Sequence, residues 1–171
     1  MIQRYKGHSP DIHTSAWVHD SAVVIGQVSL DANVSIWPNV TIRADEGRIR
    51  VGADSNIQDG STIHMTGGLS ETQVGARVTV GHNCILHGCV IEDDVLIGMG
   101  SIIMDNVRVG RGSFIGAGTL ITPGKVIPPG SFVRGNPMQL VRDCGDREKT
   151  WIAYASQHYV DNMNVYKEQD G

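Results

Sequence analysis

Aromatic residues are scarce in this sequence and make up only 5% of its 171 residues. The interior must therefore be filled by Val, Ile, Leu and Ala, while 21 glycines allow frequent turns. This balance predicts many short strands rather than helices, because β-branched residues favour strands and glycine favours tight turns.

Three further shortages narrow the class of protein. The three cysteines, Cys84, Cys89 and Cys144, are too few and too unevenly spaced for a disulfide framework. A net charge of −4 supplies no basic field for nucleic acid or an anionic membrane. No apolar run is long enough to span a membrane, and residues 1–10 lack the apolar core of a signal peptide. We therefore expect a cytoplasmic protein that binds neither nucleic acid nor a membrane.

A period of six runs through the chain. Eight β-branched aliphatic residues stand six positions apart, namely Ile91, Ile97, Ile103, Val109, Ile115, Ile121, Ile127 and Val133. This period predicts a very short strand followed by a tight turn. Such units cannot bury their aliphatic side chain alone, so they coil and stack, with three hexapeptides in each triangular coil. The alternative, a β-sandwich with regular turns, would show a period of two over longer runs.

Two regions follow from the repeat. Residues 1–136 are expected to form a mainly β domain, a parallel β-helix, and residues 137–171 an irregular connection and a C-terminal α-helix that packs on a coil. The β-helix is taken as left-handed from its resemblance to hexapeptide-repeat proteins, because the period alone does not fix the hand. Asp146 is the expected N-cap of the helix. Spacings of three and four predict that its buried stripe comprises Trp151, Tyr154 or Ala155, His158, Asn162 and Tyr166.

Three histidines, His64, His82 and His87, stand close together among aliphatic, glycine and small polar residues. Ile63 and Val74 are 11 positions apart, five more than the repeat requires, so the intervening segment is expected to bulge out as a loop. Once these five are discounted, His64 and His87 lie one full coil apart. They should therefore stack on one side of the prism, about 4.8 Å apart along its axis, where two imidazoles can share a metal ion.

His82 belongs to the preceding hexapeptide and lies on another side of the triangle. In a threefold trimer, one side of a subunit faces a different side of its neighbour. A metal ion could then be bound by His64 and His87 of one chain and by His82 of the next. Three neutral imidazoles and a water suit a zinc site with an open position; the alternative is ordinary histidines in turns. Cys84 and Cys89 are expected to be small buried residues rather than ligands.

Three segments, "TIRADEGRI", "SNIQDGSTIH" and "VGHNCILHGC", resemble the γ-class carbonic anhydrase family and its bacterial hexapeptide-repeat relatives. The resemblance covers nearly the whole chain and implies that His64, His82 and His87 are the metal ligands. It further implies a homotrimer with shared metal sites and a divalent metal, zinc first, with iron or cobalt also accepted. The implied reaction is the hydration of carbon dioxide to bicarbonate through a metal-bound hydroxide.

The resemblance also assigns roles to a group of charged residues beside the histidines. It implies that Arg43 pairs with Asp45 or Asp59 across a subunit interface, with Glu46 adjacent. The alternative is a solvated surface pair, which is worth about 0–1 kcal/mol.

The remaining assignments concern water and proton transfer. Gln58, in the same motif as Asn56, resembles the family residue that hydrogen-bonds the metal-bound water. Tyr159 resembles a tyrosine that the C-terminal helix brings near the site, although simple helix packing explains it equally well. Family members with full activity carry a longer acidic loop with a glutamate as proton shuttle. This loop has one acid, Glu71, and Glu46 is the other candidate, so we expect slow or buffer-dependent activity.

Two other functions fit a hexapeptide coil. One is an acyltransferase that uses coenzyme A or an acyl carrier protein, with a histidine between subunits as general base. The other is a metal-binding scaffold without catalytic activity. Three histidines in matched phases favour a metal over a single base.

Overall fold

The computed structural model describes residues 1–170. Within this range, twenty short strands wind into a parallel β-helix of about seven turns, and one helix follows them. The strands are β1 (Ile2–Gln3), β2 (Asp11–Ile12), β3 (Trp17–Val18), β4 (Val23–Leu30), β5 (Ser35–Ile36), β6 (Thr41–Val51), β7 (Asn56–Ile57), β8 (Thr62–His64), β9 (Thr72–Val74), β10 (Thr79–Val80), β11 (Ile85–His87), β12 (Val90–Ile91), β13 (Leu96–Ile97), β14 (Ile102–Ile103), β15 (Arg108–Val109), β16 (Phe114–Ile115), β17 (Leu120–Ile121), β18 (Val126–Ile127), β19 (Ser131–Arg134) and β20 (Gln139–Asp143). The helix is α1 (Asp146–Asp170). The expected fold class, a β-helix with a C-terminal helix, is confirmed.

The strands stack into the three faces of a triangular prism. The first face runs from β3 through β5, β7, β10, β13 and β16 to β19 and β20. The second face consists of β8, β11, β14 and β17, and the third of β9, β12, β15 and β18. β6 bends round the corner between the second and third faces, because it pairs with both β8 and β9. β20, which runs antiparallel to β19, extends the sheet where the sequence predicted an irregular connection.

The inward residue of each hexapeptide fills the prism. Ile57, Ile63 and Val74, one from each of three successive sides, are 0%, 0% and 2% exposed. Because one aliphatic side chain points inward per side, neighbouring coils bury each other's apolar surface, and no single coil is stable alone. The corners between sides require a residue in the left-handed region, and asparagine supplies it at Asn33 and Asn83.

Two insertions interrupt the coil at the corner between the second and third faces. The first is the expected loop, residues 65–71, between the ends of β8 and β9. The second was not anticipated: the register of β4 against β6 shifts between Gly26 and Val28, which pushes residues 45–48 out of the coil. The two insertions touch, since the Gly67 backbone N–H donates to Glu46 Oε2 at 3.1 Å. Both therefore build up the same corner, beside His64.

Helix α1 packs along the first face of its own β-helix. Tyr159 meets Trp37 edge to face at a ring separation of 5.2 Å, and Tyr166 lies 5.4 Å from Trp17. Met163 is fully buried between these tryptophans. Four of the nine aromatic residues of the chain thus meet where the helix docks. No helix within residues 1–170 is both long and apolar enough to cross a membrane.

The buried stripe of α1 differs from the predicted one. Trp151 and Tyr154 are 50% and 54% exposed, and Ile152 is buried instead, whereas Ala155, the expected alternative to Tyr154, is buried as predicted. The prediction was wrong for the exposed aromatic residues, because Trp and Tyr recur at helical intervals on both sides of the buried stripe. The N-cap is also one residue earlier than expected. Its backbone N–H, that of Gly145, donates to Glu148 Oε2 at 2.8 Å, so Asp146 is the first helical residue.

Glu148 also receives both terminal nitrogens of Arg142, at 2.8 and 3.0 Å. These hydrogen bonds lower the pKa of Glu148 from 4.5 to about 2. Since the carboxyl is more acidic in the folded chain, the stability it contributes is present above pH 4.5 and is lost as the pH falls toward 2. We expect Glu148→Gln to lower the Tm by a few degrees at neutral pH, with the difference shrinking below pH 4.5. Thermal melts followed by circular dichroism check this, with Glu168→Gln on an exposed turn of α1 as the control.

Candidate metal centre

His64 and His87 stack on the second face. They are paired in register at the ends of the adjacent parallel strands β8 and β11. His64 Nδ1 and His87 Nε2 face each other at 3.2 Å, and the ring centroids are 5.3 Å apart. The stacking that the repeat predicted for these two residues is therefore the geometry observed.

In each of these two rings, the nitrogen that points away from the other histidine lies beside a carboxylate. His64 Nε2 lies 3.0 Å from Asp45 Oδ1, and His87 Nδ1 lies 3.0 Å from Asp105 Oδ2. A carboxylate that accepts from one ring nitrogen leaves the lone pair of the other nitrogen available, which is the usual arrangement of histidines that bind metals. Here the two nitrogens left available are the two that face each other.

His82 lies at the opposite edge of the second face, in the turn that precedes β11. Its Nδ1 is 3.0 Å from Asp59 Oδ2, and both side chains are more than 40% exposed. Within residues 1–170 of one chain, no three His, Cys, Asp or Glu side chains converge on a common point. One chain thus presents a histidine pair at one edge and a single histidine, with its own carboxylate, at the other.

The histidine pair fits a tetrahedral zinc ion. Two nitrogens bound at about 2.0–2.1 Å with a tetrahedral angle between them lie about 3.3 Å apart. The observed separation of 3.2 Å between the facing nitrogens matches that edge. Cys84 and Cys89 are both 0% exposed and belong to the apolar core of the coil, as expected for small buried residues, and burial raises the pKa of Cys84 to about 11 and that of Cys89 to about 12.

Asp45 joins the histidine pair to Arg43. Asp45 Oδ2 lies 2.5 Å from Arg43 Nη1, while its other oxygen is on His64. Burial opposes ionisation of Asp45, but the hydrogen bonds from His64 and Arg43 outweigh it and keep its pKa below the ordinary value. Within this chain Arg43 therefore pairs with Asp45, and Asp59 pairs with His82. A pairing of these residues across subunits remains a prediction.

Gln58 and Asn56 lie on the His82 side of the chain, at and just after β7. Gln58 Nε2 donates to Asn56 Oδ1 at 3.1 Å, and Asn56 Nδ2 donates to Thr79 Oγ1 at 3.0 Å. All three residues are buried. The amide of Gln58 is therefore held in one orientation next to Asp59, and within residues 1–170 its oxygen accepts no hydrogen bond.

Tyr159 and Glu71 occupy different surroundings. Tyr159 packs on Trp37, and burial together with the charge of Asp59 raises the pKa of Tyr159. Glu71 is exposed and lines a groove with Gln73 and Arg108 on the third face. Within one chain, Glu71 is thus directed to the face that follows the histidines.

Sequence reasoning missed Asp105, the carboxylate on His87. Burial opposes its ionisation, but hydrogen bonds from Ser70 and His87 outweigh this and lower its pKa. A signal was present, because Asp105 stands 18 positions after His87 and therefore one full coil below it.

The chain is similar to several known proteins. Residues 88–123 match the family model described as Bacterial transferase hexapeptide (six repeats). Protein YrdA of Escherichia coli is 39% identical over 175 residues, which cover 99% of this chain and 95% of that protein. The mitochondrial Gamma carbonic anhydrase 2 of Arabidopsis thaliana is 34% identical over 167 residues, which cover 95% of this chain and 60% of the plant protein.

A solved structure has the same fold as this chain. The crystal structure of a hexapeptide transferase family protein from Anaplasma phagocytophilum matches with a TM-score of 0.93 and 34% identity, over 96% of this chain and 97% of that one. This chain belongs to the γ-carbonic anhydrase-like family of hexapeptide-repeat proteins. Its relatives carry the names of two functional classes, carbonic anhydrases and transferases.

Proposed function

We propose that this protein is a homotrimeric, metal-dependent carbonic anhydrase-like enzyme that hydrates carbon dioxide to bicarbonate. A divalent ion, zinc first, would be bound by His64 and His87 of one subunit and by His82 of the next. The observation that carries the proposal is the pair of facing nitrogens, 3.2 Å apart, whose partner nitrogens are each held by a carboxylate. When bound, the ion supplies a Lewis acid that makes water a nucleophile at neutral pH.

The surface between the two histidine edges supports a trimer. Ile85 and Ile102 point outward from the second face and are 41% and 37% exposed, and Met99, at the next turn, is 58% exposed. An apolar strip beside charged pairs is typical of a surface that another copy covers. Covering it would bring the His82 edge of one subunit toward the histidine pair of its neighbour and exclude bulk water from the site.

Gln58 would act on the substrate water. Its amide is fixed by Asn56, and its free oxygen belongs to the same chain edge as His82. A neutral amide can orient water without cancelling a developing negative charge. We assign Gln58 this role and Asn56 the role of holding it.

Proton removal has few routes in this chain. Glu46 already accepts the Gly67 backbone N–H, and Glu71 lies on the third face. Neither acid is aimed at the histidine pair within a chain. We therefore expect the proton to leave mainly to buffer molecules, and the rate to rise with buffer concentration.

A transferase remains the second candidate. His82 with Asp59 is a histidine–carboxylate pair of the kind that serves as a general base, and the family model that matches residues 88–123 is named for transferases. That chemistry needs one such pair, however, and gives no reason for His64 and His87 to face each other.

Metal content and carbon dioxide hydration test the proposal. We expect purified protein to contain about one divalent ion per chain. Stopped-flow hydration should be measured over a series of buffer concentrations, before and after removal of the metal with a chelator. Protein that binds metal but does not hydrate carbon dioxide would support a metal-binding scaffold without catalytic activity. Protein that binds no metal but transfers acetyl groups from acetyl-coenzyme A would support the transferase.

A further inference from the structure

The inserted loop reaches the metal centre through Ser70. The Ser70 hydroxyl donates to Asp105 Oδ1 at 2.6 Å, and the other oxygen of Asp105 accepts from His87 Nδ1 at 3.0 Å. The Thr66 backbone N–H in turn donates to Ser70 Oγ at 3.3 Å. Because the serine oxygen already accepts from the backbone, its own proton is directed to the carboxylate.

The backbone next to His87 leaves room for this contact. Gly88 has a positive φ of 63°, and a Cβ at this position would lie 2.1 Å from Ser70 Oγ and 2.3 Å from Asp105 Oδ1. Glycine is therefore required there for two reasons, conformation and space. The space that its missing side chain leaves is filled by the serine–aspartate hydrogen bond.

We propose that Ser70 is a positioning residue of the metal centre, which fixes the Asp105 carboxylate and through it the orientation of His87. The inference rests on the proposed metal site. An aspartate side chain can adopt several rotamers. The one observed directs Asp105 Oδ2 at His87 Nδ1, while His87 Nε2 faces His64. The hydrogen bond from Ser70 stabilises that rotamer before a metal binds. His87 is then already oriented, so metal binding loses no free energy in ordering its side chain.

The experiment is a double-mutant cycle on metal affinity. The affinity of the trimer for Zn²⁺ is measured by competition with a chromophoric chelator for the wild type, Ser70→Ala, Asp105→Asn and the double variant. Loss of a second-shell partner typically lowers metal affinity about 10–100-fold, and we expect Ser70→Ala to lower it about tenfold. Because Ser70 acts through Asp105, the same substitution should change the affinity less than about twofold in the Asp105→Asn background.

Controls separate positioning from stability. Ser113→Ala removes another serine hydroxyl, one that donates to the Pro128 carbonyl in a coil remote from the histidines, and should leave zinc affinity unchanged. The visible spectrum of the Co²⁺-loaded protein should change in Ser70→Ala and stay the same in Ser113→Ala.

Three outcomes overturn the inference. Ser70→Ala could bind zinc like the wild type, or it could lose the same factor with and without Asp105, or Ser113→Ala could lose as much. In all three the wild type still binds zinc and the proposed function stands. A wild-type protein that binds no zinc would instead overturn the proposed function and this inference together.

Discussion

Replacement of His87 by alanine is expected to abolish stoichiometric zinc binding while the protein stays folded. The substitution removes the Nε2 atom that faces His64 and leaves a single imidazole at that edge of the chain. Loss of a ligand costs more than the 10–100-fold in affinity that loss of a second-shell partner costs. The side chain of His87 is 31% exposed at a strand end, so its removal leaves the packed interior intact and should change the free energy of unfolding by about 1 kcal/mol or less.

The measurements are zinc per chain after dialysis and thermal unfolding of the metal-free protein. His64→Ala is expected to behave in the same way, because it removes the other member of the pair. His8→Ala is the matched control, since His8 is exposed near the start of the chain and should keep the full zinc content. Stoichiometric zinc in His87→Ala would contradict the site.

The repeat made the fold and the histidine pair predictable. A period of six places each residue on a side and in a coil, and a shift of 18 positions moves it one coil along the axis. Both His64 and His87 directly follow an inward residue, Ile63 and Leu86, so their stacking needed only the length of the inserted loop. This reasoning works because every coil makes the same parallel contacts with the next.

Features outside the repeat were harder to predict. The outward shift of residues 45–48 lies within β6 and carries no glycine-rich or proline-rich signal, and it brings Asp45 onto His64. Its one trace in the sequence is the nine positions between Ile42 and Val51, three more than the repeat requires. The contact of Ser70 with Asp105 joins residues 35 positions apart, one of which lies in a loop with no period. Their meeting depends on the fold of that loop and not on the counting rule.

The helix shows a different limit. Its start was predicted to within one residue, since Asp146 was the expected N-cap and is the first residue of the helix Asp146–Asp170. Its buried stripe was predicted only in part, because apolar and aromatic residues occur around much of the circumference of the helix. The two tryptophans on the first face, Trp17 and Trp37, decide which residues are buried, and helical spacing carries no information about them.

The largest qualitative effect is expected when two inactive variants are combined. If each site takes His64 and His87 from one subunit and His82 from the next, a mixed trimer of His64→Ala and His82→Ala chains contains one complete ligand set. The complete set forms where a His82→Ala chain supplies the pair and a His64→Ala chain supplies His82. We therefore expect co-expressed, doubly tagged mixed trimers to recover about one third of the zinc and of the hydration rate.

A second mixture tests whether recovery comes from site sharing. Chains carrying His64→Ala and His87→Ala each lack one member of the same pair, so no arrangement of the two in a trimer completes a ligand set. Zinc content should stay near zero in this mixture, although the trimers assemble in the same way. If all three ligands came from one chain, neither mixture would recover, and equal recovery in both would show that zinc binds elsewhere. Only recovery confined to the first mixture agrees with a histidine pair at one edge of the second face and His82 at the other.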